Sequence, residues 1–229
     1  MEVPARGRAD PGAAGGQVDD RRPEASVPRT TAQAGGAAVA RAIAERRRMP
    51  AAVWGIVMLV ASEAMLFASF IASYYYLWSQ TAEWPPAGIE RPRVALLLVP
   101  AICLAATSVP MQLGSMAGRA GRARAALVLV LVAFLVQCAY IAVAMHSFLD
   151  DLDKFKPSAN AYASIYYVLL GADHAHVFIG LLLSLWLIVK LARGLTMYRA
   201  NALQGITWYW HAVNLLTLIV VGTILSATL

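Results

Sequence analysis

The sequence predicts an all-α, polytopic membrane protein, a bundle of five transmembrane helices. Three observations lead there. Apolar residues make up 59% of the chain and charged residues only 14%, far from the balance of a soluble domain. Five apolar stretches are each long enough to cross a hydrocarbon core of about 30 Å. Their few polar residues stand at mid-span, where an ionisable side chain costs about 3 kcal/mol or more and marks the bundle interior or a site.

Residues 1–48 form a tail rich in Arg, Gly, Ala and Pro. The tail holds nine of the 19 basic residues, all Arg. It has no apolar core region, which excludes a secretory signal. Pro23 and acidic residues after Arg21-Arg22 argue against a twin-arginine signal. With little apolar mass to bury, the tail is expected to be disordered. AAVARAIAERRRM, over 37–49, reads either as a surface helix anchored by Arg46, Arg47 and Arg48 or as a plain stop of positive charge. The net charge of +6 is mostly a property of this tail, so no nucleic-acid partner is implied.

The membrane domain is 49–229. Its spans fall at about 51–78, 94–116, 125–146, 160–191 and 205–227. The first centres on Glu63 and ends in Tyr74, Tyr75, Tyr76 and Trp78, an aromatic belt at one interface. The second contains Pro100 and Pro110, which kink it. The second also carries Cys103, and the third carries Cys138. Neither cysteine belongs to a CxxC, and both read as small buried hydrophobes. The fourth covers about 30 residues, longer than the core at 1.5 Å per residue. It is expected to tilt, or to project AYASIYY into the interface. The fifth carries Thr207, His211, Asn214 and Thr217 along one face, a polar seam that should meet another helix.

Loop charges orient the bundle. Arg119, Arg122, Arg124, Lys190, Arg193 and Arg199 lie on the side of the tail. The opposite side mixes Arg91, Arg93, Lys154 and Lys156 with Glu83, Glu90, Asp150, Asp151 and Asp153. The positive-inside rule puts the N-terminus in the cytoplasm and the C-terminus outside. No internal repeat is visible, which disfavours an inverted-repeat transporter.

The mid-span polar residues show no catalytic, cofactor-binding or metal constellation. His174 and His176 point about 200° apart on a helix and cannot serve one ion. Asp173 and His176 share a face and are placed to pair. His176 and His211 do not share a depth, as axial haem ligands would. No zinc spacing, P-loop, nucleophile elbow or dinucleotide fingerprint occurs. Glu63 has Leu59, Leu66, Phe67 and Phe70 around it and an Ala64-Ala68-Ala72 stripe beside it. It reads either as a hydrogen-bonded group fixing helix register or as a proton-active residue beside a partner subunit.

These residues resemble subunit III of the haem–copper oxidases (cytochrome c oxidase), in its five-helix bacterial form, over roughly 50–229. The first span, WGIVMLVASEAMLFASFIASYYYLW, carries the family's Ser-Glu pair as Ser62-Glu63, and Trp84-Pro85-Pro86 follows. GADHAHVFIG stands against Gly-Phe-His-Gly-Leu-His-Val-x-x-Gly, matching at Gly171, His176, Val177 and Gly180. WYWHAVNLL stands against Tyr-Tyr-Trp-His-Phe-Val-Asp, matching at Tyr209, Trp210, His211 and Val213. There are departures. Asp173 takes the place of the first His, His174 that of Gly, and Asn214 that of an acid. Gln137 is not followed by the usual Glu-Tyr.

The resemblance implies an accessory chain of a bacterial inner-membrane oxidase that reduces oxygen and translocates protons. Such a chain stabilises the catalytic subunit and supports proton uptake, and it has no redox centre of its own. Haem and copper belong to partner subunits I and II. Direct packing on subunit I, bound phospholipid and contact with other respiratory complexes are part of the expectation. Carried over by position, Glu63, His176 and His211 are the residues to watch, with Asp173 and Asn214 as buried polar companions. Tyr209 and Trp210 would form a lipid or interhelix contact. A quinol oxidase or a nitric oxide reductase-associated subunit fits the same residues. A free-standing cytochrome b-like protein and a small transporter around Glu63 and Asp173 are the alternatives of a different class.

Overall fold

A computed structural model describes the backbone over residues 51–226 and side chains over 54–226. The tail expected over 1–48 and the surface helix over 37–49 lie outside the described residues. The described chain forms six helices: α1 (Ala51–Ser79), α2 (Val94–Ala106), α3 (Ser108–Arg119), α4 (Ala123–Lys154), α5 (Ala161–Ala192) and α6 (Met197–Ser226). Among the described residues there is no strand. α2 and α3 are two halves of one span, so five helical stretches are long and apolar enough to cross a membrane.

The second span is interrupted at Thr107, whose backbone stays in the right-handed helical region. Pro110 has no N–H to offer the Ala106 carbonyl, and its ring crowds that carbonyl. The chain re-nucleates with Pro110 in the first turn of α3. The Thr107 hydroxyl donates to the Leu104 carbonyl at 2.6 Å, satisfying one acceptor at the break. Pro100 stays inside α2.

Two boundaries differ from the sequence expectation by about two turns. α4 runs on to Lys154 instead of stopping near 146, and α6 starts at Met197 instead of 205. In α4 the cause is the helical period of the polar end. Phe148, Leu152 and Phe155 continue one apolar face and pack on α5, while Asp150 stays solvent-exposed.

That extension also bears on AYASIYY. The segment is packed inside the protein rather than left facing outward. Tyr162, Tyr166 and Tyr167 are buried. The Tyr166 hydroxyl donates to Asp151 at 2.6 Å, and the Tyr167 hydroxyl donates to the Phe155 carbonyl at 2.8 Å. α5 begins cleanly because the Asn160 side chain accepts from the Ala163 N–H at 2.8 Å. The expected aromatic belt splits: Tyr74 is buried, while Tyr75 and Tyr76 are exposed. Tyr74 meets Trp84 edge-on at 5.3 Å, and Trp84 meets Tyr162 at 4.9 Å. The loop tryptophan thereby closes the aromatic end of the bundle.

α5 and α6 form the centre. Over its most apolar stretch α6 has 56% of residues buried, against 6% for α1. α1 is therefore peripheral and packs on α5 and α6 from one side. A tight approach in the core is at Gly180 of α5. A Cβ there would lie 2.7 Å from Trp210 Cζ2, and Trp210 is fully buried with its indole N–H donating to Ser184 Oγ at 2.8 Å. A ring held by packing and a hydrogen bond has no room to retreat. Gly180→Val should therefore cost about 1–3 kcal/mol, read as a lower thermal unfolding midpoint in detergent. An unchanged midpoint would show that the ring can move.

Candidate functional site

Glu63 of α1 and His176 of α5 meet half-buried in the bundle. Glu63 Oε2 lies 2.8 Å from His176 Nε2. The other ring nitrogen, Nδ1, lies 2.7 Å from the Ala172 carbonyl. A carbonyl oxygen only accepts, so Nδ1 carries its hydrogen and donates. Nε2 then holds a proton only when the ring is an imidazolium. The pair accordingly has two neutral-overall forms: Glu63 as the acid donating to Nε2, or a carboxylate accepting from it. One proton lies between the two atoms, and moving it changes no net charge. The Phe67 ring stands edge-on to the imidazole at 5.3 Å. The Tyr209 hydroxyl donates to the His176 carbonyl at 2.8 Å. α1, α5 and α6 are thus tied at one level.

Asp173 does not pair with His176, contrary to the expectation from their shared face. It turns to other helices. The Thr217 hydroxyl of α6 donates to its Oδ1 at 2.6 Å, and the Tyr140 hydroxyl of α4 donates to its Oδ2 at 3.3 Å. Asp173 is buried at 1% exposure. A carboxyl at that depth persists because both oxygens have donors.

The polar seam of α6 meets neighbours, as expected: α3 and the turn before it, and at Thr217 α5. Asn214 Nδ2 donates to Ser108 Oγ at 2.8 Å and to Thr107 Oγ1 at 3.4 Å. Gln137 of α4 donates to Thr107 Oγ1 at 3.4 Å. The Thr207 hydroxyl donates to the Leu203 carbonyl at 2.8 Å. His211 Nε2–H donates to Gln112 Oε1 at 3.2 Å. His211 and His176 therefore bond to different helices. Trp210 and Tyr209 make interhelix contacts. His174 is buried beside the Phe148 ring at 5.4 Å.

Tyr140, Thr107, Ser108 and Ser184 are partners that sequence reasoning did not single out as such. Gln137 and Tyr140, three apart in an apolar span, were the available signal for the α4 face. Nothing in the sequence marks Ser184. Among the described residues, no group of three or more His, Cys, Asp or Glu side chains is placed to hold a metal ion.

The sequence pattern of the family described as cytochrome c oxidase subunit III matches residues 46–225, all but the tail and the last four residues. The chain belongs to that family. The resemblance drawn from the three motif stretches is borne out. As a subunit III chain it is an accessory subunit of an oxidase, and its five apolar helices make it a multi-pass membrane protein. Cytochrome bo(3) ubiquinol oxidase subunit 3 of Pseudomonas aeruginosa is 28% identical, over 71% of this chain and 78% of that one. Cytochrome c oxidase subunit 3 of Thermostichus vulcanus is 27% identical, over 73% and 83%. The protein of the same name from Pelomedusa subrufa is 31% identical, over 72% and 65%.

In this subunit III chain the Glu63–His176 contact separates two substitutions. Glu63→Gln keeps a donor for Nε2 and should leave the unfolding midpoint within about 1 kcal/mol of the parent. Glu63→Ala strands the imidazole and should cost about 1–3 kcal/mol. Equal midpoints for the two variants, read by thermal unfolding in detergent, would show that the contact does not hold α1 in place.

Proposed function

We propose that this chain is subunit III of a bacterial cytochrome c oxidase, seated directly on the catalytic subunit I in the cytoplasmic membrane. Its arginine-rich loops and its N-terminus face the cytoplasm. It stabilises the catalytic chain and supports proton uptake, while haem and copper stay on subunits I and II.

The uncovered face of α1 carries this reading. Trp54, Met58 and Met65 are each more than half exposed. Ala64, Ala68 and Ala72 are exposed as well, so the small-residue stripe is left open among the described residues. Such stripes let two helix backbones approach closely. The stripe runs beside the Glu63–His176 contact, whose Glu63 side chain is 26% exposed. A subunit docked there would cover an ionisable pair as well as an apolar face. Phospholipid filling the uncovered apolar surface beside that contact belongs to the same reading. A quinol oxidase is the second reading, favoured by the ubiquinol oxidase relative from Pseudomonas aeruginosa.

Affinity purification in mild detergent tests this. Oxidase subunits should co-elute with a haem spectrum, and the purified material should consume oxygen with reduced cytochrome c. Oxygen consumption with quinol alone would favour the second reading. A chain that elutes alone overturns both. Ala68→Trp should reduce co-elution several-fold, because a ring on the stripe keeps the backbones apart, roughly the overpacking cost of 1–3 kcal/mol. Full co-elution of this variant would move the docking face elsewhere.

A further inference from the structure

Two crossed contacts join α4 and α5. Asp151 of α4 accepts from Tyr166 of α5 at 2.6 Å. Asp173 of α5 accepts from Tyr140 of α4 at 3.3 Å. The first pair stands at the aromatic end, and the second lies three turns deeper along α4. Tyr140, Ala144, Ser147 and Asp151 follow one face of α4 at spacings of four, three and four. All four line a narrow crevice of about 30 Å³, lined also by Pro100, Leu170 and Val221. That volume accommodates about one or two waters. The cavity shares Ser147, Asp151 and Tyr166 with a wide mouth of about 630 Å³ at the aromatic end, where Arg91, Arg93 and Lys154 also stand.

His174 supplies an independent observation. It lines the narrow cavity, is 6% exposed, and its Nδ1 is buried without a hydrogen-bond partner. A buried polar atom left unpaired costs about 1–3 kcal/mol, and a water in that cavity removes the cost. The same water can donate to the Tyr140 oxygen, whose own hydrogen goes to Asp173.

We propose that this seam is a proton-exchange path, with the Asp173 carboxyl as its inner terminus and the mouth at the aromatic end as its opening. Water entering from the mouth passes Asp151 and Ser147 to reach the crevice beside Tyr140, and Tyr140 passes the proton to or from Asp173 Oδ2. The transfer is balanced: a proton arriving at the Tyr140 oxygen releases the hydroxyl proton to the carboxylate, and deprotonation runs the reverse. Asp173 meets Tyr140 from α4 and Thr217 from α6. His176, His174 and Tyr166 stand on its own helix, and Glu63 of α1 bonds to His176 rather than to Asp173. Glu63 and His176 share their own proton and bond to Ala172, so they do not lie on the path. The inference concerns this chain's own residues and holds whether the electron donor is cytochrome c or quinol.

Infrared spectroscopy of the affinity-purified chain, with whatever subunits accompany it, tests the path. A carboxylic C=O band that grows on acidification and is lost in Asp173→Asn reports the terminus. Transfer to deuterated buffer then gives its exchange rate. Ala144→Leu fills the cavity, and Tyr140→Phe removes the relay while keeping the carboxyl. Each should slow exchange at the band by about tenfold or more, the loss expected when a buried hydrogen-bonded step is removed. Serine at Ala144 adds a hydroxyl without filling the space and should leave the rate near the parent's. Where Asp173→Asn does not assemble, the Leu and Phe variants still read the same band. A band that ignores pH, or one that exchanges at parental speed in both variants, overturns the proposal.

Discussion

An unpaired polar group in hydrocarbon is the constraint on which this architecture depends. Its cost is several kcal/mol where neither protein nor water answers it. A completed interhelical hydrogen bond adds only about 0.6 kcal/mol net. The asymmetry means the buried polar side chains act less as glue than as a requirement of fit. Glu63 is tolerable in α1 because His176 faces it, and Asp173 because Tyr140 and Thr217 do. A slip of one residue in any of these helices would turn a donor by about 100° and strand its partner. The register of five spans is set in this way.

α5 is the hub of that arrangement. It answers α1 through His176, α4 through Asp173 and Tyr166, and α6 through Asp173, Ser184 and the His176 carbonyl. Large apolar side chains fill the spaces between these levels, with Trp210 laid against Gly180 at one level and the tyrosine–tryptophan cluster at the aromatic end. α1 is joined at few points and leaves most of its surface uncovered. A helix so placed suits a subunit of a larger assembly, since its outer face can serve a neighbour without disturbing the hub.

Legibility differed along the chain for physical reasons. Span number and approximate position follow from hydropathy, because crossing hydrocarbon imposes a length and forbids charge. The interruption at Thr107 was half visible: two prolines foretold a bend, but not that Thr107 and Ser108 beside it would bond to Asn214. The overrun of α4 past 146 was hidden because a hydropathy reading stops at the first acidic cluster. The helical period of Phe148, Leu152 and Phe155 continues through it. Tyr162, Tyr166 and Tyr167 read as interfacial because tyrosine favours headgroups, and what hydropathy did not show is that the extended α4 covers them.

The sequence by itself determined the membrane class, the five spans, the family and the short set of side chains that had to be satisfied inside. Composition and local spacing suffice for those, since each is a property of one segment in a known solvent. The tertiary structure decided the pairings. Asp173 and His176 sit one turn apart and looked like partners, yet each turned to a different helix. Helical period says which way a side chain points but not which neighbour stands there. That neighbour is fixed by how five rods pack at once, with every buried donor and acceptor competing for the same few complements.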